Sequence, residues 1–418
     1  RNEPIPAPEA YRLYRSISAS DLGVPSLSGM TAAFVTDDTI YVAQEDSILL
    51  LNKDYSLRET LTEFTIDGKT QKIQNPAGLF VDDNGNIYVT EPDRGRILLF
   101  SNNLELIRAM GKPDAIGLEE VTYAPRKLVV DRVGRMFVIS RNVYEGILEL
   151  TPSGNFTRFF GVNTVKFNPL EIFWRKIATE AQRQKMRLWL PTDFSNLAIT
   201  DDGFIYATVG SRESSSGKPI KLFNSKGNDI LRYPKKSRPI GDFEIGNTNG
   251  SSFISIDQNE YGTYMALDSS KGRVFSYNQD VYLLSIFGGL GSREGLFQTP
   301  VDARFDDERI IVVDQLAQTL EVFEPTDYGK LINLAVAADH GDDPDAATEY
   351  WTQVSEMNPY FHLAYVSMGD TAYRQGNYAD AKEYYRKGGD RKGYSDAMKQ
   401  TRSIWLSEHI SWVLGALA

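Results

Sequence analysis

Residues 75–100 read NPAGLFVDDNGNIYVTEPDRGRILLF. Three short alternating runs are separated by Asn84-Gly85 and by a second turn at residues 93–95. Asn-Gly between apolar runs favours a tight hairpin turn, so the stretch predicts a β-meander. Related text recurs at Ala124-Pro125 with residues 130–138, at Leu197 with residues 201–207, at residues 254–267 and at residues 300–313, with a degenerate first copy over 29–51. Taking the residue after each innermost strand as a marker, the copies fall at Thr36, Asp82, Asp131, Thr200, Asp257 and Asp306. Their spacings are 46, 49, 69, 57 and 49 residues. A sheet of this size cannot cover both its faces alone, so six copies predict blades packed radially around an axis in a closed ring.

The Pro-x-Gly, Asp-x-x-Gly-Asn-Ile-Tyr-Val and Arg-Ile pattern, clearest over 75–100, resembles the NHL-repeat family. The resemblance covers about residues 25–325 and implies a six-bladed NHL-type β-propeller. The expected organisation is an N-terminal extension over 1–24, a propeller over 25–327 and a C-terminal α-helical module. The fold class is therefore multidomain, mainly β and then α.

The long interval before Thr200 holds an insertion, residues 168–190, whose text lacks β alternation and reads as helix. Basic residues outnumber acidic ones beside its apolar stripe, so packing on the propeller rim competes with docking to a partner or membrane. From Leu331 the period changes to 3.6. Asp343 and Pro344 form a helix start, and Asn358-Pro359 a stop. Tyr365, Met368, Gly369, Gly376, Tyr378, Ala381 and Tyr385 match the tetratricopeptide pattern. Both Ala347 to Ala381 and Trp351 to Tyr385 span that family's 34-residue period. A tetratricopeptide-like module is thus expected over 328–403, followed by an apolar terminal helix over 404–418. The nine residues from Ile410 to Ala418 are too few to span a bilayer, but they read as the start of a membrane segment, with an amphipathic fold-back as the alternative.

Composition narrows the function classes. With 41% hydrophobic and 24% charged residues in 418, the chain is not disordered, collagen-like or a multi-span membrane protein. Its 45 basic against 56 acidic residues, net charge -11, argue against nucleic acid as a partner. The absence of cysteine removes disulfides, thiolate zinc sites and cysteine nucleophiles. The sequence starts at Arg1, for which removal of a signal peptide or trimming both account.

The histidines are His340, His362 and His409, all outside the propeller, so the channel is expected to lack the imidazoles that NHL-like amidating lyases use to hold zinc. No catalytic residue, metal or cofactor is assigned, and the protein is expected to be non-enzymatic. The competing reading is a metal-dependent hydrolase resembling gluconolactonases, whose six-bladed propellers hold a divalent cation in the channel. The turns leading into the innermost strands carry Asn75, Arg126, Asp193, Asn249 and Asp302, with Phe194 nearby, and these are the candidate channel-mouth binding residues. Asp82 to Gly85 repeat as hairpin turns rather than as a calcium loop. Glu91, Arg94, Arg141, Asp268 and Asp314, after the second strands, are expected to be solvated. Trp174, Arg175, Trp189, Trp351, Tyr365 and Tyr385 are the candidate partner-docking residues.

The order of modules resembles Gram-positive surface proteins that are membrane-anchored and accompany carbohydrate ABC importers. That resemblance implies an extracytoplasmic scaffold, or alternatively a secreted one, held to the membrane through its C-terminus. The implied partners are importer transmembrane subunits or a solute-binding protein, with a carbohydrate as a candidate ligand.

Overall fold

The computed structural model describes residues 7–114, 118, 121–143, 145–161, 193–209, 218–232, 241 and 250–417. The insertion expected at 168–190, with Trp174, Arg175 and Trp189, lies outside them, as does Asn249.

Six antiparallel sheets form the propeller. Blade one is β2 (Ala32–Val35), β3 (Thr39–Gln44), β4 (Ser47–Asn52) and β5 (Leu57–Leu61); the exposed hairpin β6 (Glu63–Ile66) and β7 (Lys69–Lys72) follows it. Blade two is β8 (Gly78–Val81), β9 (Ile87–Glu91), β10 (Arg96–Phe100) and β11 (Leu106–Met110). Blade three runs β12 (Ala124–Val130), β13 (Met136–Arg141), β14 (Ile147–Leu150) and β15 (Phe156–Phe160). In blade four, β16 (Phe194–Ile199), β17 (Ile205–Val209) and β18 (Ile220–Phe223) are described. Blade five is β19 (Phe253–Gln258), β20 (Thr263–Asp268), β21 (Arg273–Asn278) and β22 (Leu283–Gly288). The innermost strands β2, β8, β12, β16, β19 and β23 each touch the next, and β23 touches β2, so the ring is closed.

Closure is made by the chain's own start. Blade six has the order β1-β25-β24-β23, with β23 (Pro300–Asp306), β24 (Arg309–Asp314) and β25 (Thr319–Pro325) completed by β1 (Tyr11–Ile17). Tyr11 pairs with Pro325 and Ile17 with Leu320. Residues placed in an N-terminal extension by the sequence pattern are therefore a blade strand, which hides the edge that β25 would otherwise expose.

The turn chemistry explains the repeat. The Asp82 carboxylate accepts from the backbone N–H of Asn84 and Asn86, both at 2.9 Å, and Gly85 adopts φ 76°. Asp131 does the same for Val133 and Arg135, with Gly134 at φ 80°. These carboxylates are occupied by their own hairpins.

Behind blade six stand α2 (Asp327–His340), α3 (Pro344–Met357), α4 (His362–Arg374), α5 (Tyr378–Lys387) and α6 (Arg391–Leu417), after a one-turn α1 (Ala19–Leu22) within the propeller. Thr326 caps α2 by accepting from Gly329 N–H at 3.2 Å, and Asp343 caps α3 through Ala346 N–H at 3.1 Å. Tyr11, Phe323, Tyr328, Ile332, Trp351 and Met368 belong to one buried apolar cluster, so propeller and helices share a core. Asn333 donates to the Tyr11 hydroxyl at 3.1 Å, and Asn358 to that of Tyr328 at 2.9 Å. The segment 404–417 is a continuation of α6 rather than a separate element. Among the described residues no helix is long and apolar enough to cross a membrane.

Candidate functional site

The channel has two ends. At the end where the innermost strands begin, each strand must be joined to its blade, and a side-chain acceptor performs this repeatedly. Glu91 accepts from Gln74 N–H at 2.7 Å, Asp268 from Ser252 N–H at 2.7 Å, and Asp314 from Gln298 and Thr299 N–H at 2.6 and 2.9 Å. All three carboxylates are buried, which corrects the expectation of solvated loop tips. The linkers' backbone N–H groups sit in part-buried positions, where an unpaired donor is costly, and the carboxylates satisfy them. Arg141 is exposed, as expected.

Of the six proposed mouth residues Asn249 lies outside the described residues, and the other five do not form one site. Asn75 is exposed and its amide donates to Asp93 at 2.9 Å. Arg126 is exposed at a bulge of β12, and Asp193 is exposed ahead of β16. Phe194 is a core residue, 5.9 Å from the Phe223 ring centroid. Asp302 is fully buried and accepts from Ala33 N–H at 3.0 Å, from Ser255 Oγ and from Arg304 Nη2 at 3.2 Å. It joins blade six to blades five and one. Burial works against its ionisation, but Arg304, Lys127, Ser255 and the Ala33 N–H outweigh it and hold its carboxyl below the usual range.

The docking residues are similarly redistributed. Trp351 is buried and donates to Asp339 at 2.8 Å; Tyr385 is buried and donates to Asp370 at 2.6 Å. Both are helix-stack core. Tyr365 is partly exposed, with Lys387 Nζ 5.8 Å from its ring centroid.

A cavity of about 340 Å³ opens at the other end, where the innermost strands finish, and all six of them line it. Its floor carries Lys127, Asn196, Asp257 and Arg304. Lys127 Nζ donates to Thr31 C=O at 3.2 Å. Arg304 reaches Asp302 and, at 3.6 Å, Asp257, while its Nε is buried with no hydrogen-bond partner among the described residues. Burial pushes the Asp257 carboxyl up against the pull of Arg304 and the Phe305 N–H. Burial also lowers the Lys127 ammonium to about 8, opposed by Asp302 and reinforced by Arg304 and Arg126. The walls include Phe34, Phe80 and Phe305, and the rim Asp37, Asp201, Glu260, Tyr261 and Asp307. The end of α2 abuts this rim: a Cβ on Gly262 would stand 3.0 Å from the His340 ring.

Sequence reasoning passed over Lys127, Asn196 and Arg304 and used Asp257 only as a marker. The signal was present as polar residues inside strands that should be apolar on both faces, above all Asp302-Ala303-Arg304. Among the described residues no group of three His, Asp or Glu could hold a metal ion. Asp302 is committed to its hydrogen bonds and Asp193 is exposed, so the described residues do not assemble the donor set of the metal-dependent lactonase reading.

No family model matches the chain, and no curated protein matches it. Among solved structures it is similar to virginiamycin B lyase from Staphylococcus aureus. The identity is 12%, covering 75% of this chain and 99% of that one, with a TM-score of 0.46. A streptogramin B lyase matches at 11% identity, covering 76% and 98%, with a TM-score of 0.45. The WD40 domain of Neurospora crassa Pan2 matches at 8%, covering 75% and 95%, with a TM-score of 0.42. Two of these proteins are lyases by name, and the expectation that the chain is non-enzymatic is withdrawn. At 11–13% identity the lyases do not settle whether this chain is an enzyme.

Proposed function

We propose that the chain is an extracytoplasmic binding platform in which propeller loops and a tetratricopeptide-like helical stack hold protein partners of a carbohydrate ABC importer. The observation that carries the reading is the core shared by blade six and the helices. It fixes two binding surfaces in one frame, which a scaffold needs and which a flexible linker would not give.

The tetratricopeptide assignment is supported by two pairs of buried residues 34 positions apart, Ala347 with Ala381 and Trp351 with Tyr385. Gly369 supports it as well, since a Cβ there would stand 2.8 Å from the Tyr385 ring. The stack also presents Tyr360 and Trp405, 61% and 54% exposed, as partner-facing aromatics. The importer's transmembrane subunits or its solute-binding protein are the proposed partners, and attachment through the C-terminal end is the proposed location.

The test is crosslinking of the full protein in its native cells, followed by affinity capture and mass spectrometry. Importer subunits are expected to co-purify, and a Tyr360→Ser/Trp405→Ser variant is expected to recover them at least threefold less. Capture free of any importer component would reject the assignment.

A further inference from the structure

The outer end of the helical stack differs in charge from the rest of the chain. Residues 378–402, which cover α5 and the start of α6, hold seven basic and four acidic residues in a chain whose net charge is -11. On α6 the basic side chains share one face. Lys399 stands seven positions after Lys392, Arg402 three positions further, and Leu406 four beyond that, the spacings that bring side chains to one side of a helix. Lys392, Lys399 and Arg402 are exposed, and none of the three makes an ion pair among the described residues.

Where this face runs out, the stack stops covering the helix. Ala397 is fully buried in a cluster with Ala372, Ala381 and Tyr385. From Arg402 to Glu408, by contrast, every residue is exposed. Ile404, Trp405 and Leu406 lie in this segment at 44%, 54% and 46% exposure. Consecutive helical residues are turned ~100° from one another, so these three point to different sides of α6. A protein groove covers one side of a helix and would leave the others wet. A medium that surrounds the helix covers all three, and Trp is a residue type enriched at the boundary between lipid and water.

Charge decides which lipid. An anionic surface attracts Lys and Arg within a Debye length, about 8–10 Å at ordinary salt. It repels the acidic remainder of the chain, so the molecule approaches with this end first and the propeller away from the surface. From Lys392 to Leu406 the helix rises ~21 Å, enough for cations along its length to meet headgroups while its apolar segment enters the outer ~5–10 Å of the bilayer.

We propose that the outer face of α6 docks on an anionic lipid surface, with Lys392, Lys399 and Arg402 on the headgroup phosphates and Ile404, Trp405 and Leu406 at the headgroup–acyl boundary. The inference rests on the proposed attachment through the C-terminal end and names what that end meets. The contact lies on the bilayer and requires no spanning helix.

The test is flotation of the purified full chain with vesicles of phosphatidylcholine alone and of phosphatidylcholine mixed with phosphatidylglycerol. The protein is expected to float with the mixed vesicles and to bind phosphatidylcholine alone at least tenfold more weakly. Lys392→Gln/Lys399→Gln/Arg402→Gln should lose about 100-fold on the mixed vesicles, roughly fivefold for each cation removed, and keep its weak binding to phosphatidylcholine. Ile404→Ser/Leu406→Ser should lose about tenfold on both compositions. Equal binding to the two compositions, full binding by the triple variant, or no flotation with either vesicle would overturn the proposal. Release by sodium phosphate beyond that given by sodium chloride at equal ionic strength would overturn it too, because it would mark a phosphate site in place of a surface. The vesicles hold no importer, so failure here leaves the importer assignment to the crosslinking experiment, and capture free of importer components leaves the lipid result standing. Because the lipid comparison uses the unaltered protein, it decides the matter even where a variant misfolds.

Discussion

At the residue scale the ring is held by charged groups that look out of place. Asp302 lies in a strand yet is fully buried, and it bonds to blade one through Ala33 and to blade five through Ser255. Removing it leaves the Arg304 guanidinium buried without its nearest counter-charge. Asp302→Ala is therefore expected to destabilise the protein by about 3–5 kcal/mol in urea unfolding. Asp193→Ala, at an exposed position, should stay within about 0.5 kcal/mol. Equal effects would contradict the assignment of Asp302 as an inter-blade tie. The sequence marked both aspartates as equivalent mouth residues because turns and strand starts look alike in one dimension. Their difference lies in neighbours 269 and 47 positions away. The buried Glu91, Asp268 and Asp314 were equally hard to read, since what they hold is backbone N–H, which has no letter in the sequence.

At the element scale, blade rhythm was legible because the first hairpins of blades two to five pair an acceptor side chain with a left-handed glycine, as at Asp82 and Gly85. The helix start at Asp343-Pro344 was legible for a similar local reason. Strand β1 was not. Its register shifts between Leu13 and Arg15, which interrupts the alternation, and its partner lies at the far end of the propeller sequence. Deleting residues 7–18 should leave the β25 edge open and strip Ile17 from the core it fills. Size-exclusion chromatography with light scattering is expected to show oligomers or aggregates in place of the parent's species. An unchanged monodisperse peak would show that β1 is dispensable.

At the scale of the whole molecule, the shared cluster of Tyr11, Phe323, Tyr328 and Trp351 makes propeller and helices one cooperative body. Scanning calorimetry should record a single unfolding transition. Tyr328→Ala removes a buried ring that also accepts from Asn358, and it is expected to cost about 3 kcal/mol and to split the transition in two. A persistent single transition in that variant would place the coupling elsewhere. The pairing of Tyr11 with Pro325 has a further consequence during synthesis. A ribosome adding about 5–20 residues per second needs on the order of 15–60 s to travel from one to the other. For that interval the nascent chain carries a finished opening strand with nothing to zip onto, so the last blade is a deadline that every earlier blade must wait for.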